Sequence, residues 1–363
     1  MAIDKITTPA IADDAVTNAK VSYNNNQFRN IIINGDISLA QRGTSFTSAS
    51  GYTLDRYTWT DDSTSAFTIT QSTDVPTGQG FAKSMKFDCT TANGSLGSSD
   101  QIRQVQQIEG QNLQYLRYGT SSAESLTCSF WVKSNKTGIY CVTLSQPDDS
   151  YASNTVEYTI SSANTWEKKT ATFSGDTGGV INNDNGAGLW LMFAFGAGSG
   201  RHMTANQWNS SYGLSTSNQV NLADSTSNEL YLTGVQLEAG TSASDFEFLP
   251  FDVNLQRCKR YFLSLQGVGS TAIGSGISQS SSASAFYINF ITSMRSSPTA
   301  TYSSLGITDA TNYSANVSSI QSIESGTTGA RIIVNNASSA TALRSALLIV
   351  NDANAYLHLN SEL

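Results

Sequence analysis

The side chains best suited to chemistry are few and far apart. The 363-residue chain has two histidines, His202 and His358, which fall in different expected domains, so a Ser-His-Asp triad lacks parts that can meet. No Gly-x-Ser-x-Gly elbow, Gly-x-x-x-x-Gly-Lys-Ser/Thr loop or His-Glu-x-x-His pair is present. A glycosidase needs only two suitably separated carboxylates, which sequence alone does not exclude. The adjacent pairs Asp13-Asp14, Asp61-Asp62 and Asp148-Asp149 are no evidence for one, because neighbours on a strand face opposite sides and Asp-rich turns are ordinary. Such turns offer oxygens to calcium, but the twelve-residue loop with its fixed ligand order is missing. The four cysteines (Cys89, Cys128, Cys141, Cys258) have irregular spacing, with no Cys-x-x-Cys and no histidine to complete a zinc site. No catalytic residue, metal or cofactor is assigned, and the chain is expected not to be an enzyme.

Ligand binding has better candidates. Met203–Leu222 is a long polar stretch rich in Asn and Ser that contains Trp208 and Tyr212, and His202 precedes it in Gly200–Met203. Flat rings beside amides and hydroxyls suit a sugar, and long loops often carry binding. The plain alternatives are a solvated loop histidine and half-buried packing rings.

Composition narrows the class. Lys+Arg is 20 and Asp+Glu is 28, a net charge of −8, so a nucleic-acid phosphate backbone would meet repulsion. Charged residues are 13% of the chain, well below the roughly one quarter usual in globular proteins, which argues against long salt-bridged helices. At 39% hydrophobic the chain has enough apolar residues to fold, and its longest apolar run, around Leu189–Phe195, is too short to cross a bilayer. Met1–Lys5 lacks the start of a secretory signal, so assembly in a reducing cytoplasm with free, buried thiols is expected; Cys128 and Cys141 are the pair that adjacent strands could bring together.

The elements that must position these residues are strands. Apolar and polar residues alternate with period two in Ser65–Thr70, Lys83–Cys89, Leu126–Lys133, Val156–Ile160, Leu189–Phe195 and Glu229–Leu237, separated by Gly, Asn, Asp and Ser. This predicts an all-β protein with a central jelly-roll β-sandwich. Gly110–Tyr118 is a candidate short helix. In Phe251–Phe262 a stronger one follows Pro250, with Phe251, Leu255, Cys258 and Phe262 on one face. Composition then shifts to Gly and Ser before strands resume at Thr299–Ser303, Arg331–Asn335, Ala346–Asn351 and Ala355–Asn360, predicting a smaller C-terminal β-sandwich. The domain reading is 1–25, an N-terminal attachment and trimerisation segment; 26–250, the jelly roll; 251–262, a connecting helix; and 263–363, a distal β domain. In the first segment Ile6, Ile11, Val16 and Val21 recur every fifth residue, which suits neither a single helix face nor one strand face. The alternatives are a frayed terminus and a segment buried on the axis of a homotrimer.

Several phrases carry a resemblance when taken in order: Asn30–Asp36, Ala40–Phe46, Gly51–Tyr57, Gln107–Gly110, Ser129–Lys133, Asn164–Lys168, Gly234–Glu238 and Leu255–Phe262. The set resembles bacteriophage virion proteins, chiefly tail fibres of phages from marine and related hosts, that have a carbohydrate-binding-module-like jelly roll. Ile6–Val21 is similar to a segment near the attachment end of such fibres, and Met294–Pro298 and Tyr356–Leu363 to phrases of their distal domain. The resemblance implies a homotrimeric structural component of the virion tail, joined to the tail or an adaptor by its N-terminus. It further implies adhesion to a host surface polysaccharide or lipopolysaccharide, with assembly in the host cytoplasm. It transfers no catalytic residue, and the larger particle-binding domain of typical fibres has no counterpart before the jelly roll. The alternatives are a non-receptor protein of the neck or capsid surface and a virion-borne depolymerase. Recognition is expected in the Gly/Ser-rich loops after Phe262, with the Trp208 and Tyr212 loop as the second location.

Overall fold

The computed structural model describes residues 28–47, 50–308, 314–336 and 340–363. The Ile6, Ile11, Val16 and Val21 repeat lies outside the described residues. The jelly roll opens with β1 (Ser45–Thr47), β2 (Gly51–Tyr52), β3 (Tyr57–Asp61), β4 (Ala66–Ser72), β5 (Ser84–Thr91) and β6 (Gln101–Glu109). It continues with β7 (Leu126–Ser134), β8 (Gly138–Gln146), β9 (Ala152–Ile160), β10 (Glu167–Phe173), β11 (Ala187–Ala197), β12 (Trp208–Asn209) and β13 (Glu229–Ala239). These form a six-stranded sheet, β1-β4-β5-β13-β7-β10, and a seven-stranded sheet, β12-β9-β8-β11-β6-β3-β2. The expected strands are present with ends moved by a few residues, and the expected short helix is two single 3-10 turns, Gly110–Asn112 and Gln114–Leu116.

Alternation explains the sandwich. On β5, Met85, Phe87 and Cys89 are buried while Lys86 faces outward, 2.7 Å from Glu229. On β11, Leu189, Leu191, Phe193 and Phe195 point into the core, where Trp59, Phe67, Phe87 and Phe195 meet with ring centroids 4.6–5.6 Å apart. Each such side chain contributes about 1.5–3 kcal/mol on burial. Cys128 and Cys141 lie on different sheets, and all four cysteines are buried and free. Burial pushes the Cys89 thiol up to about 11, with the nearby Asp61, Asp88 and Asp224 adding to it.

The C-terminal part begins with α1 (Phe251–Lys259) and β14 (Phe262–Gln266). The helix is shorter than expected and its apolar face differs: Asn254 and Cys258 are buried, whereas Phe251 is exposed. It stops because the Tyr261 N–H closes the last turn on Cys258 O, and Phe262 is taken as a strand partner by Asn360. The remaining strands are β15 (Thr271–Ser278), β16 (Ala283–Asn289), β17 (Thr299–Ser303), β18 (Leu305–Thr308), β19 (Ser314–Ser325), β20 (Gly329–Asn336), β21 (Ser345–Val350) and β22 (Tyr356–Asn360). This part is all-β as expected, but six of its strands close into a barrel, β15-β16-β20-β19-β18-β21, beside a three-stranded sheet, β14-β22-β17. Closure follows because β15 pairs with β16 on one side and β21 on the other, with a bulge between Ala272 and Gly274 that bends it.

A buried polar joint links the two parts. Asn34, at φ 60°, donates to Leu39 O and Asp55 O and accepts from the Leu39 N–H. Asp55 accepts from both the backbone and side-chain amides of Gln41, and that side chain reaches Phe262 O. Arg56, 1% exposed, pairs with Glu362, donates to Gln107 O at 2.6 Å and lies 3.4 Å over the Tyr261 ring. Burial opposes the Arg56 charge, but the Glu362 carboxylate more than offsets it and holds the guanidinium pKa above its ordinary value. Glu109 takes a bidentate contact from Arg260, both bonds 2.7 Å. Burial alone would raise the Glu109 pKa, and the Arg260 and Tyr261 hydrogen bonds bring it below the usual carboxylate range.

Two outcomes follow. Glu362→Ala strands Arg56 in the interior and should destabilise the protein by about 3–5 kcal/mol in urea unfolding, whereas Arg56→Met combined with Glu362→Leu should recover most of that loss. His358, stacked on Tyr356 with ring centroids 4.0 Å apart, is pushed down to about 4 by burial and by Arg42. The fold therefore favours the neutral ring while the unfolded chain takes up a proton below its ordinary 6.5, so stability should fall as pH drops from 6.5 towards 4. His358→Gln should flatten the pH 6.5 to 5 part of the unfolding curve.

Candidate functional site

The outward face of the seven-stranded sheet departs from simple alternation. Leu189 and Leu191 point inward, so Trp190 points out, opposite Gln107 on β6 and Ser145 on β8. Farther along the same face Met192 and Ala194 are also buried, because Leu214 and the segment around it lie over that half of the sheet. Thr143 donates to Leu214 O at 2.8 Å and helps hold this cover in place. The cover brings Tyr212 towards Trp190.

Three aromatic rings meet here. Tyr151 follows the turn after β8, where Ser150 (φ 52°) and Tyr151 (φ 61°) are both left-handed, and its ring lies 5.2 Å from Trp190 and 6.4 Å from Tyr212. Tyr151 remains 42% exposed, so one wall of the cluster faces solvent. Arg103 on β6 places its guanidinium 5.3 Å from the centroids of both Trp190 and Tyr212 and donates to the Tyr212 hydroxyl at 2.5 Å. The Tyr212 hydroxyl in turn donates to Gln101 Oε1 at 2.6 Å. Arg201 covers the Tyr212 ring at 5.2 Å. Among the described residues neither Arg103 nor Arg201 is in a salt bridge, and the Trp190 indole N–H has no partner. Burial lowers the Arg103 pKa; it raises that of Tyr212, which the two arginines partly oppose. Flat rings thus stand beside two guanidinium groups, of which Arg103 is buried and donates to Tyr212 and Met192 Sδ.

Of the three candidates from sequence, only Tyr212 belongs to this cluster. Trp208 sits on the edge strand β12, donates its indole N–H to Ser174 O at 2.8 Å and packs edge-on against Tyr118. It supports the main core and is no free platform. His202 is exposed, bridged to Ser215, with Nε2 3.3 Å from Ala197 O, and makes no ring contact with Tyr212. Sequence reasoning missed Tyr151, Arg103 and Arg201. The parity of β11 was the available signal for Trp190, since inward Leu189 and Leu191 force it outward. Of the other concave regions, a cleft of about 290 Å³ beside Arg56, Arg257 and Tyr261 belongs to the joint, where Arg257 donates to Asn30 O. A groove of about 580 Å³ on the outside of the barrel is lined by Ile277, Tyr287, Thr308 and Leu347.

No family model matches the sequence, and no curated protein does. Solved structures with some likeness include the enzymatically active domain of tailspike protein 4 from bacteriophage CBA120 (14% identity, 58% of this chain and 21% of that one, TM-score 0.32). A putative sugar-binding protein from Bacteroides thetaiotaomicron is 11% identical over 58% of this chain and 99% of that one, TM-score 0.34. A family 11 carbohydrate-binding module from Clostridium thermocellum, in complex with a mixed-linked tetrasaccharide, is 9% identical over 55% of this chain and 98% of that one, TM-score 0.29. This chain spans about a fifth of the tailspike's length.

Packing separates the environment of Trp208 from that of Tyr151 by experiment. Trp208→Ala should destabilise the fold by about 2–4 kcal/mol, as removal of a large packed ring does. Tyr151→Ala, at an exposed turn, should cost no more than about 1 kcal/mol in the same urea titration.

Proposed function

We propose that this chain is a non-enzymatic adhesion protein that binds a glycan on the outer face of its seven-stranded sheet. The observation that carries this reading is the joint presence of Tyr151, Trp190 and Tyr212 with two arginines that, among the described residues, form no salt bridge. On a chain of net charge −8, such arginines favour a ligand that supplies the missing negative charge, so an acidic polysaccharide fits better than a neutral one. Asp62, whose charge acts on both Arg103 and Tyr212, accepts from the Gln101 side chain.

The biological setting we propose is a bacteriophage tail, with the chain as a fibre subunit adhering to host capsule or lipopolysaccharide. The ordered phrases from Asn30 to Phe262 support it. Trimerisation through Ile6, Ile11, Val16 and Val21 would place several shallow sites on one particle, where avidity compensates for weak single contacts. A second location for recognition is the barrel groove, favoured by the exposed Tyr287 and Leu347.

Binding to host capsule and lipopolysaccharide fractions, measured by calorimetry, tests the reading. Trp190→Ala and Arg103→Gln should each weaken binding by about tenfold or more, in line with 1–2 kcal/mol for one stacking or charged contact. Unchanged affinity in both variants, or release of new reducing ends by the wild-type protein, contradicts it.

A further inference from the structure

A second polar cluster lies at the turn that presents Tyr151. We infer that Gln146, Asp149 and Asp176 form a calcium-binding site beside Gly179. Gln146 Nε2, Asp149 Oδ2 and Asp176 Oδ2 lie 2.6, 2.7 and 2.7 Å from the place a Cβ would occupy on Gly179. Two carboxylate oxygens and an amide head therefore crowd together around Gly179 Cα, where any larger residue would collide with them.

The surroundings lack the groups that would otherwise neutralise this convergence. Asp176 is 7% exposed, and its Oδ1 accepts from the Gly178 N–H at 2.9 Å while Oδ2 faces the cluster. Neither Asp149 nor Asp176 is in a salt bridge with a described Lys or Arg. Gln146 is fully buried, and neither atom of its amide has a hydrogen-bond partner among the described residues. A buried amide without partners beside two converging carboxylates calls for a ligand, since each unmade hydrogen bond costs about 1–3 kcal/mol. Rotating the amide about its last torsion presents Oε1, giving three oxygen donors from three chain positions. Hard oxygen donors in an irregular arrangement suit calcium, which accepts variable geometry and completes its shell with water and backbone carbonyls; magnesium requires a near-ideal octahedron.

The site bears on the aromatic cluster through one turn. Asp149 is two residues before Tyr151, and Ser150 and Tyr151 between them hold two left-handed conformations that side chains disfavour. A cation on Asp149 would fix this turn and so the exposed ring. The metal site does not depend on the glycan reading, because it stands on its own donors.

The test uses the full chain, stripped with EDTA and titrated with calcium chloride by calorimetry, with terbium luminescence sensitised by nearby aromatic rings as a second readout. Saturable binding of one ion and a rise in melting temperature are expected, both reduced at least tenfold in Asp176→Asn and Asp149→Asn. Asp149 lies in a half-exposed turn, so its isosteric variant should fold even if Asp176→Asn does not. Absence of saturable binding, equal binding by Asp149→Asn, or an equal response to magnesium overturns the inference. Trp190→Ala should bind calcium normally, which separates failure of this site from failure of glycan binding.

Discussion

The ion pair of Arg56 with Glu362 is the constraint on which the arrangement of the molecule depends. One guanidinium with 1% exposure holds the penultimate residue, a backbone carbonyl of β6 and the ring of Tyr261. It therefore fixes three elements far apart in sequence: the jelly roll, the segment after α1 and the chain's end. Glu362 also receives Arg42 at 3.1 Å, and Arg42 in turn lies over Phe262. A buried charge pair adds little net stability over an apolar replacement, but one half without the other is strongly unfavourable, so the pair enforces a single docking geometry.

Five short segments supply the residues of this joint. Asn30–Asp36, Ala40–Phe46, Gly51–Tyr57, Gln107–Gly110 and Leu255–Phe262 supply Asn34, Gln41, Arg56, Glu109 and Arg260, all members of the joint. Gly234–Glu238 adds a bulge at Gly234 (φ 61°), next to which the Val235 N–H donates to Gly35 O at 2.9 Å. These residues hold the scaffold. The aromatic cluster lies outside all of these segments.

What sequence made legible was set by local rules. The parity of Met85, Phe87 and Cys89, or of Leu189 to Phe195, needs only period two and a core, and it located the strands and the all-β class. The end of α1 and the exposure of Phe251 depended on which residue the last strand would capture, a tertiary matter. Tyr151, Arg103 and Tyr212 are brought together by a sheet register, a left-handed turn and a covering loop, and no spacing in the chain records that. Trp208 misled because a tryptophan in a polar stretch reads as exposed, whereas Ser174 and Tyr118 hold it against the core.

The proposed glycan site lies across Trp190, between Tyr151 and Tyr212. The most direct measurement is a crystal structure of the protein soaked with an acidic oligosaccharide prepared from the host surface. Sugar stacked on these rings with an acidic group at Arg201 is the expected result. Sugar found only in the groove beside Ile277 and Tyr287, with the aromatic cluster unchanged, would contradict it.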